Sequence, residues 1–229
     1  METCKAKLAV CISGLSRSII KGYESISTTA EQFHSVDYYI HTWDTEPAHY
    51  LQRLYLPARI KIEQDKLDEL LGLMNVDKSL FTGTEDNKML RCNLIRALYS
   101  AHEAISLIDD ISKYDLIIRT RPDVRIDIEM PKYVGSNIVY FMKYKNIIDD
   151  NFVLGDPIII RNFVKGLWKF IRHMVPAPDL KHGGHWVIKR YIREFSVNRA
   201  FYHTNSNTLW SHKNNFVNCI SSELDRLGK

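Results

Sequence analysis

The sequence predicts an α/β domain with a mainly parallel central sheet flanked by helices, and three observations carry that prediction. Strand-like and helix-like stretches alternate over residues 7–128, the order that builds strands joined by crossover helices. Leu94, Ile95, Leu98, Ala101, Ile105 and Ile108 recur at helical spacing, which marks a long helix over 88–111. That helix delivers the chain to 114–118, a short run with the apolar character of a buried strand. With 229 residues, 45% of them hydrophobic, the chain is large enough to bury one sizeable core. No linker, repeat or low-complexity stretch divides it, so a single domain over 1–229 is expected.

Each element follows from its own pattern. Residues 7–12 form a first strand that runs into Ser13-Gly14-Leu15-Ser16-Arg17-Ser18, where glycine permits a tight turn and the serines can cap a helix over 19–33. A second strand over 36–41 ends in Thr42-Trp43-Asp44. A short third strand over 59–63 and a short helix or turn over 64–74 precede the long helix. The strand from 114 ends near Arg121, because carrying it through Asp127 would add roughly 30 Å and Pro122 has no N–H for a central ladder. Asp123 then falls on a loop at the strand's carboxyl end, with a second short strand over 124–128. Residues 137–143 are another strand, and the stretch after it carries Asp149, Asp150 and Asp156 on a loop. Helices over 158–172 and 185–194 flank a loop rich in Pro, Gly and His over 176–184. The tail from Asn205 is polar and poorly patterned.

Bulk properties narrow the function. Residues 8–15 form the longest candidate targeting segment, too short to span a bilayer and without a convincing cleavage site. The four cysteines, Cys4, Cys11, Cys92 and Cys219, are scattered without zinc spacing or a secreted-type framework, which points to a reducing, cytoplasmic setting. A net charge of +4 comes from 31 dispersed basic residues, a balance suited to a phosphate-bearing small ligand. No zinc-finger, RNA-recognition or basic-zipper pattern is present, so nucleic acid is not the expected partner.

Chemistry is expected just beyond the carboxyl ends of the strands, where open α/β sheets bind ligands. Arg119, Arg121, Asp123, Arg125 and Asp127 put five charges at every second position after the apolar run. Burying such a row beside a core without use would cost desolvation for little net stability. Arg119 and Arg121 are placed to hold a diphosphate, and Asp123 to hold a divalent ion bridging it. Arg125 and Asp127 fall beyond the break at Pro122 and read as structural. Ser13, Gly14 and Arg17 suit a phosphate or ribose at a helix start, although neither GxGxxG spacing nor a Walker lysine is present. Asp44 offers a carboxylate after the second strand. Trp43 stacks on a base or sugar, or else anchors the core.

Four segments together resemble a family: Ile12-Ser13-Gly14-Leu15-Ser16-Arg17-Ser18, Ile40-His41-Thr42-Trp43-Asp44, the stretch from Tyr114 through Arg119-Thr120-Arg121-Pro122-Asp123, and Asp149-Asp150-Asn151-Phe152 followed by Gly155-Asp156. The chain is similar over roughly residues 7–202 to the small GT-A fold glycosyltransferases of polysaccharide, capsule and lipopolysaccharide synthesis, found in bacteria and large DNA viruses. The resemblance implies a Rossmann-like GT-A domain with a nucleotide-sugar-binding half over 1–130 and an acceptor-side half and tail over 131–229. It implies transfer of a hexosyl or pentosyl group from a nucleotide-diphosphate-sugar donor to a glycan acceptor, with Mn²⁺ or Mg²⁺ at the diphosphate.

One departure from the family pattern stands at the central strand, where Arg121-Pro122-Asp123 replaces the usual Asp-x-Asp. Asp123 alone can still ligate a hydrated ion, or Arg121 or Arg119 can neutralise the leaving diphosphate instead. An inverting transfer needs a base for the acceptor hydroxyl, extending the logic of glycosidases. Asp150 is the first choice and Asp149 the second, with turn aspartates of no catalytic role as the plainer alternative. Asp156, followed by Pro157, fits a helix start. Two other functions suit the same residues: a non-catalytic nucleotide- or glycan-binding module, and a sugar nucleotidyltransferase, which would want paired metal-binding acids.

Overall fold

The computed structural model describes residues 4–15, 19–45, 48–56, 58–75, 85–126, 138–144, 147–174, 183–194, 200–205 and 216–218. Among them one sheet is formed by β1 (Cys4–Ser13), β2 (Phe33–Trp43), β3 (Ala58–Glu63), β4 (Leu116–Thr120), β5 (Ile138–Tyr144), β6 (Ile147–Gly155), β7 (Ala200–Asn205) and β8 (Phe216–Asn218). Their order is β3-β2-β1-β4-β6-β5-β7-β8. Strands β1 to β4 are mutually parallel. Strand β6 runs antiparallel to β4 and β5, β7 runs parallel to β5, and β8 reverses against β7. The first five strands of that order make a mostly parallel central sheet, as expected for the α/β class and compatible with a Rossmann-like fold.

The α-helices among the described residues are α1 (Ile19–Ala30), α2 (Ala48–Leu54), α3 (Leu67–Leu73), α4 (Glu85–Ser106), α5 (Pro157–Met174) and α6 (Gly183–Glu194). Alternation along the strands sends successive side chains to opposite faces, and each face has its own core. Leu8, Val10 and Ile12, with Leu116, Ile118, Phe152 and Leu154, pack with Ile19 and Ile26 of α1 and Leu51 of α2. Ala9, Cys11, Ile117 and Val153 pack instead with Ile95 and Leu98 of α4, Phe163 and Leu167 of α5, and Ile188 of α6. Burial on both faces accounts for the unbroken apolar run at the start of β4. At the start of α5, Ile159 N donates to Asp156 Oδ1 at 3.2 Å and Pro157 takes the first helical position, so Asp156 is a helix cap. Among the described residues no helix is long and apolar enough to cross a membrane.

Several expected boundaries move, each for a local reason. The first helix stops at Ala30, and Phe33, buried in the core, begins a longer second strand. The long helix stops at Ser106; Ile108 and Ile111 keep their places in the core from irregular backbone and a short 3-10 turn. Residues 124–126 are not a strand. Val124 and Ile126 are buried, but Ser25 of α1 takes the partners a ladder would have used: its hydroxyl donates to the Ile126 carbonyl, and Ile126 N donates back to Ser25 Oγ. Residues 127–128 lie outside the described residues. The expected loop carrying Asp149 and Asp150 is part of strand β6, and α2, β7 and β8 had no counterpart in the sequence pattern.

Candidate functional site

The sheet reverses its direction of growth at β1, with β2 and β3 added on one side and β4 on the other. Ligands of open α/β sheets bind beyond the carboxyl ends of the strands at such a switch point. Gly14 follows β1 there with φ +118°, a conformation that favours glycine. Its amide donates to the His41 carbonyl at 3.2 Å and to Ser100 Oγ at 2.8 Å, and its carbonyl accepts from Thr42 Oγ1 at 2.8 Å. The Gly14 N–H is therefore committed to the fold and does not offer itself to a phosphate.

Arg121 stands at the end of β4. Its Cγ lies 3.8 Å from where a Cβ on Gly14 would sit, so the side chain passes over the β1 turn. Nε and Nη2 donate to the two oxygens of Asp123 at 2.9 and 2.6 Å, and Nη1 donates to Asn151 Oδ1 at 2.9 Å. The pair keeps partial access to solvent, with side-chain exposures of 26% for Arg121 and 11% for Asp123. Helix α1 sets the position of this turn. A Cβ on Gly22 would fall 1.8 Å from the Pro122 carbonyl oxygen, a contact only glycine allows.

The other arginine of the row behaves differently. Arg119 is 4% exposed, donates through Nε to Ser13 Oγ at 3.1 Å, and lines a cavity of about 20 Å³ with Leu98, Ala101, Val153, Phe163 and Ile188. Ser13 is fully buried as well. These two residues lie beneath the switch point, on the α4 and α5 side of the sheet. Arg17 lies outside the described residues.

Strand β6 brings a further segment to the same end of the sheet. It pairs Arg119 with Val153 in antiparallel register, so two residues further on Asn151 falls beside Arg121, as the hydrogen bond between them confirms. Asp150 and Asp149 precede Asn151 in the same strand; their side chains lie outside the described residues.

After β2, Asp44 is exposed, accepts a hydrogen bond from Gln64 Nε2, and has His49 Nε2 at 3.6 Å from Oδ1. Its neighbour Trp43 is a core residue, buried and stacked on Tyr99 with ring centroids 5.7 Å apart. Between Asp44 and Gly14 lies a buried polar cluster that sequence reasoning missed. His41 Nδ1 lies 2.8 Å from Ser100 Oγ and its Nε2 lies 2.9 Å from Glu63 Oε2; Glu63 also takes Lys61 and Lys66 at 2.9 and 2.8 Å. Glu63 ends β3, so the carboxyl-end rule would have found it; Ser100 gave no signal beyond being a polar residue within an apolar helix face.

A divalent ion at the diphosphate was expected with Asp123 as ligand. The described residues do not fit one. Both Asp123 oxygens are occupied by Arg121, and no group of three His, Cys, Asp or Glu side chains suitable for a metal occurs among the described residues. No protein-family model and no curated protein matches the chain.

Proposed function

We propose that the chain is a GT-A-type glycosyltransferase that moves a sugar from a nucleotide-diphosphate-sugar donor to a hydroxyl of a glycan acceptor. The observation that carries the proposal is a partly exposed, rigidly held guanidinium, Arg121, at the switch point of a Rossmann-like sheet. A fixed cation at that position suits a diphosphate. Asp44, exposed at the carboxyl end of the neighbouring β2, suits the nucleoside end of the same ligand. Arg119 and Ser13 support the turn from below. The free thiols Cys11 and Cys92 suit a reducing cytoplasmic setting.

In the proposed transfer the bond between the anomeric carbon and the diphosphate oxygen breaks, and its electron pair leaves with the diphosphate. The acceptor oxygen forms the new bond to that carbon and gives its proton to a carboxylate, with Asp150 the first choice for the base and Asp149 the second. Arg121 meets the charge that develops on the departing diphosphate. Asp150→Asn is expected to leave nucleotide binding intact while stopping transfer; undiminished transfer by this variant would reject Asp150 as the base.

A second reading is favoured by one observation: Asp123, the described carboxylate beside Arg121, has both of its oxygens hydrogen-bonded to that arginine. A nucleotide- or glycan-binding module without transfer activity would need nothing more. Donor hydrolysis and acceptor transfer separate the two, since the module binds nucleotide and does neither.

A further inference from the structure

We infer that Arg121 is the resident cation of the diphosphate site, so that the donor binds and its diphosphate leaves without a divalent metal ion. This rests on the transferase reading above and concerns how that site balances charge. At the position where the family pattern puts the first acid of Asp-x-Asp, this chain has an arginine, and the remaining acid, Asp123, holds that arginine instead of an ion.

The geometry makes the exchange costly to reverse. A divalent ion at Asp123 would have to displace Arg121 from both carboxylate oxygens, and a bidentate guanidinium-carboxylate pair belongs to the strong class of hydrogen bonds. Asp123 is only 11% exposed, so losing Arg121 would leave a largely desolvated charge until the ion arrived. Arg121 could not simply swing aside either. Asn151 of β6 holds Nη1, and the aliphatic part of the side chain lies over Gly14.

The same contacts leave the guanidinium able to work. Of its five N–H donors, three are used, one at Nε, one at Nη2 and one at Nη1. The remaining two, one on each terminal nitrogen, are donors that phosphate oxygens can take. Asp123 and Asn151 are thus positioning residues that hold the guanidinium in place. When the anomeric carbon–oxygen bond breaks, the electron pair on the diphosphate oxygen is met by these N–H groups, and no co-reactant is required.

The test uses the full chain, stripped of metal and held in EDTA, with UDP, GDP, ADP and CDP as probes in thermal-shift and calorimetric titrations, each repeated with Mn²⁺. The expected result is that at least one nucleotide raises the melting temperature in EDTA, with an affinity that Mn²⁺ changes by less than about threefold. Arg121→Met should then weaken binding in EDTA by roughly tenfold to a hundredfold, with partial recovery in Arg121→Lys. Binding seen only with Mn²⁺ overturns this inference and leaves the transferase reading standing, as does undiminished binding by Arg121→Met in EDTA. No shift in either buffer overturns the transferase reading itself.

Discussion

His41 Nε2 lies 2.9 Å from Glu63 Oε2, while Nδ1 on the other side of the ring lies 2.8 Å from Ser100 Oγ. With a carboxylate at Nε2, the neutral ring places its proton there, and Nδ1 accepts from the Ser100 hydroxyl. Ser100 Oγ also accepts from Gly14 N and lies 3.1 Å from the His41 carbonyl. One buried imidazole therefore ties the end of β3 to helix α4 and to the turn after β1.

The pH dependence of folding should show this ring. Burial lowers the His41 pKa from its ordinary 6.5, although the hydrogen bond and charge of Glu63 pull the other way. The unfolded chain thus binds the proton first, and the stability involved is complete above 6.5 and is lost as pH falls below it. His102, also lowered by burial, adds to the same decline. Burial alone would raise Glu63, but hydrogen bonds from Lys66, His41 and Lys61 outweigh it and bring the carboxyl from 4.5 to about 2, so its contribution is lost separately, as pH falls from 4.5 towards 2. Thermal melts across this range should show both declines. His41→Gln should flatten the first without removing it and cost about 1–3 kcal/mol near neutral pH, because its buried partners lose a hydrogen bond. An acid decline of wild-type steepness in the variant would exclude His41 as its source.

Two glycines with crowded surroundings should respond differently to alanine. A Cβ on Gly22 meets the Pro122 carbonyl carbon and oxygen at 2.7 and 1.8 Å, whereas one on Gly166 meets the Tyr191 hydroxyl at 2.0 Å. Backbone of a packed turn cannot yield without moving Arg121 and Asp123; the far end of a tyrosine can. Gly22→Ala is expected to cost about 1–3 kcal/mol in urea unfolding and to weaken any nucleotide-induced shift. Gly166→Ala should fall within about 1 kcal/mol of the parent, since better helix propensity offsets part of the clash. Equal costs would mean that the turn is not held against α1.

The class of fold and the break at Pro122 were legible because both depend on local chemistry: hydrophobic period, and a residue without an N–H. What lay beyond the sequence depends on strand order. Ser100 meets Gly14 across 86 positions, and Asn151 meets Arg121 across 30, partnerships fixed by where α4 and β6 dock. The run from Ile147 to Gly155 has two acids and an asparagine in its middle, which resembles a loop until β6 is seen paired between β4 and β5. The two-residue period would put Arg119 and Arg121 on one face, but β4 ends at Thr120. Arg119 stays among side chains of α4, α5 and α6, whereas Arg121 leaves the strand, lies over Gly14 and pairs with Asp123.

That separation predicts that the two arginines are not equivalent. Arg119→Met keeps length and apolar contact in a pocket lined mainly by Leu, Val, Phe and Ile side chains, but it takes the Nε donor from the buried Ser13 hydroxyl. Unfolding free energy should fall by about 1–3 kcal/mol, and nucleotide affinity should hold where Arg121→Met loses it. A loss of binding as large as that of Arg121→Met, in a variant that is still folded, would place Arg119 against the ligand.

Asp44 offers the complementary test at the other end of the proposed ligand. It is exposed, and its contacts with Gln64 and His49 lie at the surface, where such pairs contribute about 0–1 kcal/mol to folding. Asp44→Ala should therefore melt close to the parent. If Asp44 accepts from a ribose or base of the donor, losing a charged acceptor costs about 1.5–3 kcal/mol of binding, or roughly tenfold to a hundredfold in affinity. Inorganic pyrophosphate, which has no nucleoside, provides the internal control. Its affinity should depend on Arg121 and be indifferent to Asp44, whereas the nucleoside diphosphate should respond to both. If Asp44→Ala weakens pyrophosphate as much as nucleotide, the carboxylate acts through the fold and the nucleoside end of the site lies elsewhere.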